Sequence, residues 1–341
     1  MKKKYKNTFW FSVAHAMKKN FILPLLTFAV SMFFYLSNFC WEKIREAKET
    51  ASIKGQDVLK IMRDTYEVFI FDSEQAAYNP LLYIFPALLV VISILLGVLL
   101  FRFVTNKKTV NVYYSLGIKR ADLYTARLLA GVFMMLAAVL VPLAVSLGLN
   151  LHYFGSSVML WRTLLFYAVH MTVTALAGFS VAAAVSVCVG TAGESVLFSL
   201  AFIAFPSATV YFLNNTVPKL LFGAPHNSNY ALYPSASHNQ DISMALSPFG
   251  RVLSRLNLLS LNNDVFIRSG SLVSADGFSK ITADELKSWS APSLEPYILW
   301  AILTALLFVF GLLMLKRRKV EICGFSGRSK ALNFLLTAML S

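Results

Sequence analysis

Charge is what this sequence has least of. Of its 341 residues only 14% are Asp, Glu, Lys or Arg, while 57% are hydrophobic. A water-soluble domain carries roughly 25% and 45–50% respectively, and the apolar runs here are too long for a globular core. A soluble fold is excluded. Cysteine is scarce too: Cys40, Cys188 and Cys323 stand far apart, with no Cys-x-x-Cys pair, so neither a disulfide framework nor a cysteine zinc site is indicated. The five histidines are equally scattered. Catalytic signatures are missing as well. The nearest thing to a phosphate-binding loop, "GTAGES" at 190–195, has no lysine. His-Glu-x-x-His and Gly-x-Ser-x-Gly do not occur. The chain is therefore not expected to bind ATP through a P-loop or to be an enzyme. No bound cofactor or metal is indicated, and neither an internal repeat nor a lipidation motif is visible.

What is present is a series of apolar runs. Six of them, at about 20–41, 80–104, 128–151, 163–189, 196–213 and 296–315, can cross a hydrocarbon core of roughly 30 Å, which takes about 20 helical residues. The expected fold is an all-α integral membrane protein with about six transmembrane helices. Lys2, Lys3, Lys4 and Lys6 ahead of an apolar stretch imitate a signal peptide. The basic region, however, continues to Lys18 and Lys19, and the run that follows is too long for a signal h-region. It reads as a retained first span.

The net charge of +14 matters through its placement, since Lys and Arg mark the cytoplasmic side of a membrane protein rather than a nucleic-acid site. Residues 1–19 hold six Lys and no acid, and residues 105–127 hold five basic residues and one acid. The tail from Lys316 holds six basic residues and one acid. By contrast, 42–79 carries six basic and eight acidic residues, and 214–295 carries six of each. The basic segments alternate as a six-span chain with both termini inside requires. The expected organisation is a basic cytoplasmic N-terminus (1–19) and a transmembrane domain (20–316) with two sizeable extracytoplasmic loops, 42–79 and 214–295. Residues 317–341 form a cytoplasmic tail or the start of a further span. The first part of 42–79 reads as helical, and Thr282-x-x-Glu285 resembles a capping box. The loops read as connectors with local helices; a ligand-binding role stays open.

The fourth span is dense in small residues. Gly178 and Ala182, like Ser186 and Gly190, lie four apart and admit close approach of another helix, within this subunit or from a second copy. His170 is the ionisable group inside a span. With no carboxylate partner it reads as a hydrogen-bonding group between helices rather than a proton relay. Pro86, Pro142 and Pro206 are candidate kinks. Buried carboxylates of the kind ion-coupled transporters use are not evident, so energy for any transport would have to come from elsewhere.

Between the second and third spans lies "KKTVNVYYSLGIKRADLYTARLLAG" (107–131), basic and aromatic. It reads as a short helix broken at Gly117, followed by Lys119, Arg120 and Asp122 opening the next helix. "YYSLGIKRADLYTARLLAG" resembles the cytoplasmic loop of ABC-2-type exporter permeases of Gram-positive bacteria, whose pattern is Ser-Leu-Pro-Ile/Val-x-Arg followed by Lys/Arg-Leu-x-Ala-Gly. Ser115, Leu116, Ile118, Lys119, Arg120, Leu123, Tyr124, Arg127, Leu128, Leu129, Ala130 and Gly131 carry the likeness. Gly117 stands where that pattern has Pro. "KRRKVEICGF" (316–325) is similar to the Arg-x-x-Glu-x-Ala-Gly segment of the same permeases through Arg318, Glu321 and Gly324, with Cys323 in place of Ala.

The resemblance implies a non-catalytic permease subunit in a bacterial cytoplasmic membrane, its short cytoplasmic helix coupling it to an ATPase. Tyr113, Tyr114, Ser115, Leu116, Gly117, Ile118, Lys119 and Arg120 would seat on a separate ATP-binding subunit that carries the ATP and Mg. A second permease half, identical or paralogous, and membrane lipid complete the implied partners. Drug, peptide, lipid and polysaccharide all stay open as substrates. The alternative is a membrane sensor or scaffold that binds a peptide or antibiotic through its outer loops. The apolar ending "ALNFLLTAMLS" (331–341), too short to cross a bilayer, resembles the start of another span and suggests a longer chain.

Overall fold

Apolar runs that leave water can satisfy their backbone polar groups only as helices or closed barrels. The computed structural model describes residues 2–37, 41–55, 57–60, 80–106, 109–111, 113, 119–154, 158–220, 256 and 294–318. Among these residues there is no strand. The long helices are α1 (Lys2–Lys19), α2 (Ile22–Ser37), α3 (Trp41–Lys54), α4 (Pro80–Thr105), α5 (Arg120–Phe154), α6 (Val158–Cys188), α7 (Ala192–Leu220) and α8 (Glu295–Arg317).

Four helices are long and apolar enough to cross a membrane: Ile84–Thr105 of α4, Arg120–Tyr153 of α5, Tyr167–Cys188 of α6 and Glu295–Arg317 of α8. A bent pair, α1 with α2, makes a fifth when counted as one span. In α7 the shorter stretch Ala192–Pro206 is apolar. These helices suit a multi-pass membrane protein.

The first span departs from the run expected at 20–41. Residues 2–19 are themselves helical, and α2 leaves α1 at 61°. Pro24 accounts for the break: its ring would collide with the carbonyl four residues back, that of Asn20, were the helix continuous. Asn20 instead closes α1, its backbone N–H and its Nδ2 both donating to the Ala16 carbonyl (3.3 and 3.0 Å). Lys18 and Lys19 in that last turn suit the negative end of the helix dipole. Pro86 and Pro142 lie inside α4 and α5, which run on through them.

The contacts between helices fix their directions. On α4, Ser93 and Gly97 meet Gly178 and Ala182 of α6: a Cβ on Gly178 would stand 2.8 Å from Ser93 Oγ, and one on Gly97 would stand 2.6 Å from Ala182 Cβ. Both numbers rise by four, so α4 and α6 are parallel. His170 meets Tyr297 (3.0 Å), and a Cβ on Gly311 would lie 3.4 Å from the Cα of Ala184. The offset is the same at both levels, so α8 also runs parallel to α6, in constant register. α5 runs against them, with Tyr124 opposite Gly311 and Gly131 opposite Phe179. α2 is antiparallel to α4, since Phe34 near the end of one stacks on Phe85 near the start of the other (4.1 Å). The centre of this arrangement is α6, whose spanning stretch is 72% buried against 22% for α8. Small residues let α4 approach it, and large ones such as Trp300, Phe101 and Phe179 fill the remaining core.

Candidate functional site

Because α4, α6 and α8 are parallel, their C-termini gather at one end of the bundle, the end where α5 begins. A helix terminus leaves its last carbonyls without intrahelical partners, and here several such termini are packed together away from water. One side chain serves two of them. Arg318, the C-cap of α8 and only 6% exposed, donates through Nη1 to the carbonyls of Ser186 (3.2 Å) and Val187. Through Nη2 it donates to those of Val189 (2.8 Å) and Val104 (3.1 Å). The guanidinium thus closes the end of α6 and the last turn of α4, where two helix dipoles present their negative ends. Each buried carbonyl left unsatisfied would cost about 1–3 kcal/mol. The planar fork of arginine reaches several acceptors at once, which a lysine ammonium cannot reproduce.

The turn beyond α6 is equally defined. "GTAGES" forms a capping box at the start of α7: the Glu194 backbone N–H donates to Thr191 Oγ1, and the Thr191 N–H donates to Glu194 Oε2, both at 3.3 Å. The hydroxyls of Ser186 and Ser195 share a hydrogen bond of 2.6 Å across the turn. α6 and α7 are therefore tied at the same end that Arg318 closes.

The connector between α4 and α5 enters this cluster from the other side. Arg120, the first residue of α5, donates from Nη1 to the backbone carbonyl of Arg318 (2.9 Å). Arg127, two turns further on and 3% exposed, donates from Nη2 to the hydroxyl of Tyr113 (2.9 Å). Its guanidinium lies over the rings of Tyr113 and Phe103 (5.4 and 5.6 Å to the centroids), a cation–π arrangement. Tyr113 also packs edge-on against Phe103 at 5.2 Å. Tyr124 packs at a tilt against Phe101 (5.0 Å) and reaches α8 because Gly311 has no side chain. What the cluster does physically is fasten: the connector, α5, α6 and the end of α8 share polar contacts at one place.

No family model, curated protein or solved structure matches this chain. The geometry alone therefore sets the expected site residues in place. Tyr113 points into the bundle, onto Phe103 and Arg127, not outward as free packing area. Lys119 is exposed and Arg120 half-buried. Tyr114, Ser115, Leu116, Gly117 and Ile118 lie outside the described residues, as do Glu321 and Gly324. Arg318 meets Arg120, joining two segments that carry the resemblance. Gly178 and Ala182 pack inside the subunit against α4. Ser186 pairs with Ser195, and Gly190 is buried in the turn between α6 and α7. His170, buried, meets Tyr297 of α8. Among the described residues no group of three His, Cys, Asp or Glu comes together as a metal would need.

Three participants carried a signal that composition did not single out. Arg127 stands at the edge of the apolar run that begins at residue 128, where an arginine either snorkels to water or finds partners inside the fold. Gly97 and Gly311 each sit among large apolar residues, where a glycine marks close approach of a second helix.

Proposed function

We propose that the chain is the membrane-spanning, non-catalytic subunit of an ATP-binding-cassette exporter, residing in a bacterial cytoplasmic membrane with both termini inside. Its six crossings are the α1–α2 pair and α4 to α8. Residues 42–79 and 214–295 lie outside, and the connector between α4 and α5 is the cytoplasmic element that seats on a separate ATPase. The supporting observation is the contact between Arg120 and Arg318 (2.9 Å). It brings the two short segments that resemble ABC-2-type permeases into one cluster, although 198 positions separate them. A connector that served only as a topology anchor would need no such fastening to the end of the last span. α2 and α5 run opposite to α4, α6 and α8, the directions that the charge pattern on the loops calls for when α7 also crosses.

Around that element the rest of the chain has a consistent role. Lys119, Lys316 and Arg317 are exposed beside the cluster and would meet an acidic ATPase surface. α1 opens the first crossing from the inner side, with lysines at both ends and with Trp10 and Phe11 exposed. The transported substrate passes through an assembly of two permease halves and two ATPase subunits.

The test is reconstitution. The chain is purified in lipid nanodiscs alone, and again with the cassette ATPase encoded beside its gene. The expected result is no ATP hydrolysis by the chain alone, a stable complex with the ATPase, and hydrolysis by that complex. Robust hydrolysis by the chain alone, free of contaminants, contradicts the reading. So does failure to associate with any neighbouring cassette subunit.

A further inference from the structure

Arg318 has more bonds than a helix cap needs. A residue ending α8 could satisfy one or two carbonyls of its own helix; this one instead spends its guanidinium on α6, the following turn and α4. Meanwhile its own carbonyl is held by Arg120 from the connector side. Its backbone N–H remains with α8, donating to Leu315 (3.4 Å). One residue thus carries polar contacts to α4, α5, α6 and α8, with Arg120 joining the connector side to it.

We propose that Arg318 is a positioning residue, a latch that makes the start of α5 and the end of α6 move as one body. Displacement of the connector passes through Arg120 to the Arg318 backbone, and through the Arg318 guanidinium to the backbone of α6. The path consists of hydrogen bonds to main-chain carbonyls, so it does not depend on the identity of the side chains at positions 186, 187 and 189. It ends on the most enclosed helix of the fold, which lies against both α4 and α8. The functional sense of that path, carrying an ATPase's movement to the spans, rests on the proposed function; the latch itself does not.

The experiment reads distances in the purified chain in nanodiscs, with Cys40, Cys188 and Cys323 replaced by serine. Spin labels go on Asn111 of the connector and Leu197 of α7, both exposed, α7 being tied to α6 by the Ser186–Ser195 bond. A second pair, on Leu165 and Ile298 at the opposite end and also exposed, reports the general fold. The wild type is expected to give one narrow distance distribution for each pair. In Arg318→Gln and in Arg120→Gln the Asn111–Leu197 distribution should broaden by about twofold, as when an element held in one arrangement gains a second. Arg318→Lys should fall between these and the wild type, because an ammonium keeps the charge but not the fork. The Leu165–Ile298 pair should stay as in the wild type, which loss of the whole fold would not allow.

An Asn111–Leu197 distribution that superimposes on the wild type in both Gln variants overturns the latch. Should Arg318→Gln not fold, Arg120→Gln decides alone, since it removes the bond to the Arg318 carbonyl and leaves the Arg318 guanidinium in place. In the complex with the ATPase, ATP should shift the Asn111–Leu197 distance without broadening it in the wild type and should broaden it in Arg120→Gln. If no ATPase binds the wild type, the proposed function fails, and the distances in the chain alone still decide the latch.

Discussion

Gly97 gives the packing account its most quantitative test. A methyl group placed there would stand 2.6 Å from the Cβ of Ala182, 3.3 Å from the carbonyl of Phe179 and 3.5 Å from the amide of Ala183. Ordinary carbon contacts lie at about 3.5–4.0 Å, so α4 and α6 would have to part locally by about 1 Å. None of the three neighbours is a flexible chain end that can swing aside, because one is a Cβ and the other two are backbone. Overpacking of this kind costs about 1–3 kcal/mol, and the better helix propensity of Ala returns up to about 1 kcal/mol. With obstacles this rigid the cost falls in the upper part of that range, about 2–3 kcal/mol, so Gly97→Ala should destabilise the chain by about 1–2 kcal/mol net. The assay is reversible unfolding in mixed detergent micelles. Ala182→Gly made on top of it removes the closest obstacle and should restore about half or more of the loss, a coupling that a double-mutant cycle isolates. Gly148→Ala is the control, since nothing lies within 4 Å of the added methyl; it should be neutral or slightly stabilising. Wild-type stability in Gly97→Ala, or equal loss with and without Ala182→Gly, would refute the α4–α6 seam.

Other expectations follow from the connector and from the loop charges. On a cysteine-free background, single cysteines at Ser52 and Ser271 should react with an impermeant thiol reagent on whole cells, whereas one at Ser115 should react only after permeabilisation; reaction at Ser115 in intact cells would overturn the orientation. Tyr113→Phe removes the hydroxyl that accepts from the buried Arg127 guanidinium and should lower stability by about 1.5–3 kcal/mol. Tyr113→Ala should lower it further by losing the ring that packs edge-on against Phe103, and a thermal melt in detergent checks both. Lys119→Glu, at an exposed position, should leave the melt unchanged while weakening association with the ATPase, measured as a dissociation constant at low and high salt.

The spanning helices were legible because length and apolarity are local properties. α4, α5, α6 and α8 follow the runs at 80–104, 128–151, 163–189 and 296–315, with α5 beginning earlier, at Arg120. The first span was legible in its apolarity but not in its shape. The break at Asn20 depends on where Pro24 sits relative to a carbonyl four residues back, a local rule that an apolar run conceals. "GTAGES" shows the reverse: read for the lysine it lacks, it excludes a P-loop, yet its Thr-x-x-Glu spacing holds the capping box of α7. The site was less legible, for a different reason. The Arg120–Arg318 and Tyr113–Arg127 contacts depend on how the helices pack, and no period along the chain encodes them. Tyr113 reads as an outward aromatic when only its own segment is considered. It faces inward because Arg127, on the next helix, needs an acceptor. The fourth span's small residues signal close approach but not the partner, and only the matching spacing of Ser93 and Gly97 on α4 identifies it.

The central claim, that the connector seats on an ATPase, is tested most directly by photo-crosslinking from the connector itself. A photoreactive residue is placed at Asn111 or Lys119, both exposed, in the chain reconstituted with the neighbouring cassette subunit. One at Leu165, at the far end of α6 and also exposed, serves as the reference. The account predicts adducts with the cassette subunit from Asn111 and Lys119, changing in yield between ATP and ADP, and none from Leu165. Adducts with lipid alone from Asn111 and Lys119, in the presence of the ATPase and either nucleotide, would contradict it.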